Sequence, residues 1–172
     1  MSLSRVIKVG VIGCGAVAET AHLPAYVIAP RTKVKAIADT DVSRLEAVSR
    51  KFSVENVYTD YQDMLDQETD IDAVSVCLPT YLHRDAVIAA ARAKKHILCE
   101  KPIALTVDEA REMLEVAEKH NVDLYIGFCL RFAKVFRVLR EHVRSGLVTR
   151  PVKAKAVCRF FRRPEMRSWY FN

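Results

Sequence analysis

The sequence predicts an α/β fold built on a doubly wound parallel sheet, and three observations support this prediction. Short runs rich in valine and isoleucine alternate with segments of helical periodicity from residue 6 to about residue 128. These runs are apolar almost throughout, as expected of strands that helices cover on both faces. A glycine-containing turn joins the first run to the first helical segment. The alternation of strand and helix therefore favours parallel strands with helical crossovers.

Five runs are strand candidates, because each is short, apolar and bounded by polar or turn-forming residues. In chain order they are VIKVGVIG (6–13), VKAIAD (34–39), DAVSVCL (72–78), HILCE (96–100) and DLYIGF (123–128). Their spacing leaves room for a helix after most of them, which completes a strand-helix repeat up to about residue 128.

The segments between the strands carry helix signals. Asp41 is a candidate N-cap for the helix that follows the second strand. Residues 60–67 predict a short helix and residues 80–95 an alanine-rich one. Thr106 and Glu109 form a T-x-x-E capping box ahead of apolar residues at helical spacing.

The pattern changes past residue 130, which predicts a dinucleotide-binding domain over 1–130 and the start of a second, α+β domain over 131–172. Residues 132–145 predict a basic amphipathic helix that ends at Gly146. Residues 151–161 alternate apolar and polar side chains, as a strand with one buried face does. Such a strand needs neighbours. We therefore expect either a homo-oligomer paired through this strand or a longer protein of which these residues are the front portion.

Charge and composition narrow the function classes. The formal net charge is +6, with a net of −4 over residues 1–130 and +10 over 131–172. The basic segment lacks aromatic platforms and recognition-helix motifs, so nucleic acid is an unlikely partner and a solvated helix face is the commoner explanation.

The five cysteines and five histidines show no metal-ligand spacing, so no metal is expected. We find no membrane-spanning run or signal peptide, and expect a cytoplasmic protein.

The turn after the first strand carries the motif G-x-G-x-x-A in "VGVIGCGAVAET", with Gly13, Gly15 and Ala18 at its fixed positions. Gly13 allows the tight turn, Gly15 lets a pyrophosphate approach the backbone, and Ala18 lets helix and strand pack closely. The N–H groups at the helix start, near Ala16 and Val17, would attract the phosphates. The motif therefore predicts a Rossmann-type dinucleotide site. The alternative is that the turn is purely structural.

Asp39 ends the second strand, 24 residues after Gly15. A carboxylate at this place can accept hydrogen bonds from the adenosine ribose hydroxyls and repel a 2′-phosphate, which favours NAD over NADP. The alternative is a turn or cap residue, a role that Asp41 could fill instead. Cys14, between the two glycines, is interpreted as a small residue whose backbone matters.

The stretch "CEKPIALTVDEA" places Glu100 and Lys101 at the end of the fourth strand candidate. Ligands in such sheets lie beyond the carboxyl ends of the strands, so Lys101 can project into the crevice. Pro102 favours extended geometry for the lysine before it. A surface ion pair of little energetic worth is the alternative at an arbitrary strand end.

Several motifs together resemble the nucleotide-binding half of the glucose-fructose oxidoreductase / inositol dehydrogenase / MocA family. They are GVIGCGAVAETAHLPA, AIADTD, CLPTYLH, CEKP and GFCLRF, and the resemblance covers essentially the whole chain. It implies an NAD(P)-dependent oxidoreductase that acts on a secondary alcohol of a sugar, sugar phosphate or cyclitol. In that family the motif lysine, here Lys101, assists proton removal while hydride passes to nicotinamide, and Glu100 would orient it.

The resemblance also implies further cofactor contacts. Leu78, Pro79 and Thr80 fall where the family's chain passes the nicotinamide ribose, with His83 in the helix that follows. Thr80 replaces the family's usual asparagine, and Arg131 resembles its arginine at the domain junction. The family's catalytic aspartate and histidine would follow residue 172. The 172 residues of this chain are thus expected to be a fragment with weak or no turnover. A non-catalytic dinucleotide-binding regulatory or oligomerisation module is the alternative.

Overall fold

The computed structural model describes residues 5–148, and within them six parallel strands form one sheet. The strands are β1 Ile7–Ile12, β2 Thr32–Ala38, β3 Asn56–Tyr58, β4 Ala73–Val76, β5 His96–Cys99 and β6 Leu124–Ile126. Their order across the sheet is β3-β2-β1-β4-β5-β6. The order reverses between β1 and β4, which is the place where a doubly wound sheet opens a ligand crevice at its carboxyl edge. The predicted Rossmann-type parallel sheet is therefore confirmed.

A helix follows each strand along the chain. They are α1 Leu23–Ile28, α2 Val42–Phe52, α3 Tyr61–Gln67, α4 His83–Arg92, α5 Val107–Lys119 and α6 Lys134–Arg144. A π-helical turn, Ala18–His22, runs directly into α1, and residues 16–28 are helical without a break. Pro24 lies in the first turn of α1 and has no N–H to give to an intrahelical bond. This missing donor is a physical reason for the wider turn before it.

The sheet separates two hydrophobic cores. On one face α3, α4 and α5 contribute Met64, Ala86 and Met113 to a core with Val74 and Ile97. The core on the other face contains the following buried residues of α1, α2, β1 and β2: Leu23, Leu45, Val48, Val11 and Ile37. Helices therefore lie on both faces, as the continuous apolar character of the strands predicts.

The sequence signals for the helix starts are confirmed. The Asp41 side chain accepts a hydrogen bond from the Arg44 backbone N–H at 3.0 Å and caps α2. Thr106 and Glu109 form both bonds of the capping box at the start of α5. One strand was not predicted: β3 is only three residues long and pairs with β2 alone, so its sequence carries almost no periodicity.

The chain divides into two compact units after Phe128. The second begins with a 3-10 turn, Cys129–Phe132, followed by α6, whose side chains are exposed. The strand predicted over 151–161 lies outside the described residues. Within residues 5–148 every helix is too short or too polar to cross a bilayer.

Candidate functional site

The glycine turn leaves β1 in a conformation that requires glycine at its first position. Gly13 has a φ of +92°, and a Cβ there would lie 2.8 Å from the Cys77 carbonyl oxygen. Its N–H donates to the Ala38 carbonyl at 2.8 Å, so the turn is tied to the end of β2. The turn therefore packs between the ends of β2 and β4, with no space for a side chain at Gly13.

The second glycine faces open space. A Cβ built on Gly15 would meet no atom within 4 Å. The neighbouring Ala16 and Val17 at the helix start are exposed, whereas Ala18 is fully buried against the sheet. An accessible backbone at a helix start with a bare glycine beside it is the arrangement that receives a pyrophosphate. The residues present thus fit a dinucleotide at this turn.

The acid after β2 is bonded to the glycine turn. Asp39 accepts from the Cys14 N–H at 2.7 Å and from the Asp41 N–H at 2.9 Å. The Arg44 guanidinium lies 3.2 Å from both oxygens of the same carboxylate. The Asp39 side chain is 8% exposed, while that of Arg44 is 47% exposed. Asp39 and the glycine turn therefore form one structural unit, and Arg44 covers its outer side.

Cys14 contributes to this unit through its backbone. Its side chain is fully buried, and burial together with the nearby Asp39 carboxylate raises the pKa of its thiol to about 12. A thiol with so high a pKa is a weak nucleophile at neutral pH.

The loop after β4 reaches the same edge of the sheet. The Leu78 side chain lies 3.1 Å from the position of a Cβ on Gly13. Pro79 precedes the 3-10 turn Thr80–Leu82, and both Pro79 and Thr80 are partly exposed. His83 is fully buried, with Nε2 2.8 Å from the Leu78 carbonyl and Nδ1 2.9 Å from the Pro102 carbonyl. The ring ties two loops together, and a direct cofactor contact from it stays a prediction.

The end of β5 supplies Glu100 and Lys101. The Glu100 N–H donates to the Val76 carbonyl at 3.0 Å, so this segment lies beside the end of β4. Its carboxylate lies 3.0 Å from His22 Nε2 and accepts the Lys101 backbone N–H at 3.1 Å. The Lys101 side chain is exposed, and within residues 5–148 its ammonium has no bonded partner. Lys101 is thus available to a ligand.

Sequence reasoning missed three side chains that support Glu100, namely His22, Ser75 and Tyr26. His22 Nδ1 lies 3.2 Å from Ser75 Oγ, which lies 2.5 Å from the Tyr26 hydroxyl. Gly127 was also missed: a Cβ there would lie 2.9 Å from Glu100 Oε1. The only signal was the stretch "AETAHLPA", which contains His22 but does not show which residue the ring contacts.

Arg131, the remaining predicted contact, lies in the 3-10 turn of the second unit and is exposed. Its role toward a cofactor stays a prediction. Among residues 5–148 we find no group of three or more histidine, cysteine or acidic side chains that could hold a metal ion.

Comparison with known proteins agrees with this geometry. Residues 7–128 match the oxidoreductase family with an NAD-binding Rossmann fold. The chain is 35% identical over 145 residues to D-glucoside 3-dehydrogenase of Escherichia coli, which covers 84% of this chain and 41% of that protein. It therefore spans less than half the length of this relative.

Two solved structures are similar over the same region. Scyllo-inositol dehydrogenase from Lactobacillus casei, with bound NAD(H) and scyllo-inositol, superposes with a TM-score of 0.78 at 29% identity, over 84% of this chain and 42% of that one. KijD10, a 3-ketoreductase from Actinomadura kijaniata in complex with TDP-benzene and NADP, gives 0.76 at 33% identity, over 84% and 45%. With the glycine turn, Asp39 and the Glu-Lys-Pro segment in one row along the sheet edge, the chain belongs to the glucose-fructose oxidoreductase / inositol dehydrogenase / MocA family of oxidoreductases.

Proposed function

We propose that these residues bind NAD and form the nucleotide-binding part of an oxidoreductase acting on a secondary alcohol of a sugar or cyclitol. The observation that carries this proposal is the row of contacts along the carboxyl ends of β2, β1, β4 and β5. It runs from Asp39 through the glycine turn to Glu100 and Lys101. An extended dinucleotide that follows this row would cross the sheet at its switch point.

The glycine turn would hold the diphosphate, with the open space at Gly15 beneath it. Asp39 would accept hydrogen bonds from the adenosine ribose, and Leu78, Pro79 and Thr80 would line the path toward the nicotinamide end. When bound, NAD supplies the hydride acceptor of the reaction. The names of two relatives contain scyllo-inositol and D-glucoside. Both compounds carry secondary alcohols, which supports this substrate class.

Lys101 would act at the substrate hydroxyl. Its exposed amine, free of protein partners among the described residues, would take the hydroxyl proton as the adjacent carbon loses hydride, which leaves a ketone. Glu100 would orient the lysine by accepting a hydrogen bond from its backbone N–H. A cofactor contact from Arg131 belongs to the same proposal.

Asp39 and Arg44 suggest which cofactor binds. The carboxylate disfavours a 2′-phosphate, whereas the half-exposed guanidinium could pair with one. We propose NAD as the preferred cofactor because the Asp39 carboxylate is bonded directly to the glycine turn, at 2.7 Å from the Cys14 N–H.

Calorimetric titration with NAD and NADP tests the proposal. The unmodified chain should bind NAD more tightly, and Asp39→Ala should lose that preference. Arg44→Ala should weaken NADP more than NAD, because it removes the only side-chain cation bonded to Asp39 among residues 5–148. No binding of either dinucleotide would reject the proposed function.

A further inference from the structure

The buried side chain of His22 contacts the segment that contains Lys101, the candidate catalytic lysine. His22 is the last residue of the π-helical turn Ala18–His22, and its side chain is 8% exposed. Nε2 lies 3.0 Å from Glu100 Oε1, and Nδ1 lies 3.2 Å from Ser75 Oγ. The helix that follows the glycine turn is therefore joined to the residue that precedes Lys101.

The hydrogen-bond directions in this cluster follow from its chemistry. A carboxylate can only accept, so Nε2–H of His22 donates to Glu100. In a neutral ring Nδ1 then accepts from the Ser75 hydroxyl, and Tyr26 can donate its own hydroxyl proton to Ser75 Oγ. Every polar atom in the chain from Tyr26 to Glu100 has a partner, so the ring is fixed in one orientation.

The Glu100 carboxylate is confined on its remaining sides. Oε2 accepts the Lys101 backbone N–H at 3.1 Å. Gly127 presents bare backbone to the carboxylate, and a Cβ there would approach Oε1 to 2.9 Å. The side chain is 17% exposed. The negative charge of a carboxylate held in this way has a fixed position at the carboxyl end of β5.

We propose that His22 is a positioning residue that holds Glu100 so that its charge favours the oxidised over the reduced cofactor. This inference rests on the proposed function, because it places the nicotinamide near Lys101. The nicotinamide ring is positively charged in NAD⁺ and neutral in NADH. A fixed carboxylate in a partly buried site attracts the first and has little effect on the second, so the sign is set by Coulomb attraction.

The test is a ratio of dissociation constants, Kd(NAD⁺)/Kd(NADH), measured by calorimetric titration of this chain. A change in packing alone would weaken both ligands alike and leave the ratio unmoved. Glu100→Gln should raise the ratio by about threefold or more, the effect of one unit charge at a separation of several ångströms in a partly screened site. Glu115→Gln, an exposed position on α5, makes the same charge change elsewhere and should leave the ratio as it is.

Two variants of similar size isolate the role of His22. Asn places its amide near the position of Nδ1 and reaches Ser75 but not Glu100, whereas Gln extends to the position of Nε2. His22→Asn should therefore raise the ratio toward that of Glu100→Gln, and His22→Gln should restore it. Both replacements are polar, and circular dichroism confirms folding before titration.

The outcomes separate the two proposals. If the unmodified chain binds neither NAD⁺ nor NADH, the proposed function fails. If it binds both and Glu100→Gln leaves the ratio unchanged, the electrostatic role of Glu100 is wrong while cofactor binding stands. If Glu100→Gln shifts the ratio but His22→Asn and His22→Gln behave alike, His22 does not position the carboxylate.

Discussion

Replacing each glycine of the turn by alanine should separate folding from cofactor binding. At Gly13 the new methyl group would lie 2.8 Å from the Cys77 carbonyl oxygen and 2.9 Å from its carbon, and φ is +92°. The neighbours are backbone atoms of the β4 end, which cannot move aside without disturbing the sheet. At Gly15 the methyl group would meet nothing within 4 Å.

The expected magnitudes follow from these two environments. A left-handed backbone costs a non-glycine residue about 1–2 kcal/mol and overpacking about 1–3 kcal/mol, so Gly13→Ala should lose roughly 2–5 kcal/mol of unfolding free energy. Gly15→Ala should change it by less than about 1 kcal/mol. Its methyl group instead occupies the space that the diphosphate needs, and should weaken NAD binding by roughly tenfold or more.

Urea denaturation gives the stability of each variant, and calorimetry gives its affinity for NAD. The pair forms its own control, since the chemical change is the same at two positions two residues apart. Equal losses of stability in the two variants would refute the backbone geometry assigned to Gly13. Unaltered NAD affinity in Gly15→Ala would refute the location of the diphosphate.

Three further predictions concern stability. Lys95 is 5% exposed and donates to the carbonyls of Glu68, Thr69 and Ile71. Lys95→Met should therefore lower the free energy of unfolding by about 1–3 kcal/mol in urea titration. The same replacement at exposed Lys119 should not, and equal effects would contradict this role of Lys95. Thr106→Ala should cost about 1 kcal/mol and Thr106→Ser much less, because only the first removes the cap; a loss in both variants would point to packing instead. Burial raises the pKa of the Cys14 and Cys99 thiols from 9.0 to about 12, so stability should fall as pH rises from about 9 to 11, where the unfolded chain releases protons that the folded chain keeps. Cys14→Ala should reduce that slope by about 1.4 kcal/mol per pH unit, and an unchanged slope in calorimetric melts would contradict the raised pKa.

Local chemistry explains which parts of the fold were predictable. The capping box at Thr106 and the cap at Asp41 depend on atoms within four residues, and both formed as expected. The strand β3 was missed because its three residues are held by their neighbour β2 and by no pattern of their own. The π-helical turn was missed because hydrophobic periodicity does not distinguish a wider turn from an ordinary one.

The candidate site divides along the same line. Gly13 and Gly15 were predicted to be site residues because a phosphate-binding turn needs glycines at fixed spacing, and Asp39 because it ends the next strand; their contacts with a cofactor stay predictions. That Asp39 bonds the Cys14 N–H, and that Arg44 covers the same carboxylate, required the structure. These contacts depend on how β2 and α2 pack beside the turn.

The sequence by itself determined the alternation of strands and helices, the glycine turn, the acid after β2 and the family, because each depends on residue types at short, fixed spacings. Only the tertiary structure decided that His22 supports Glu100, a contact between residues 78 positions apart. It arises because the strand order brings β5 beside β4 while the π-helical turn directs the histidine toward the sheet edge. Contacts of this kind are set by packing across the whole domain, and no local pattern encodes them.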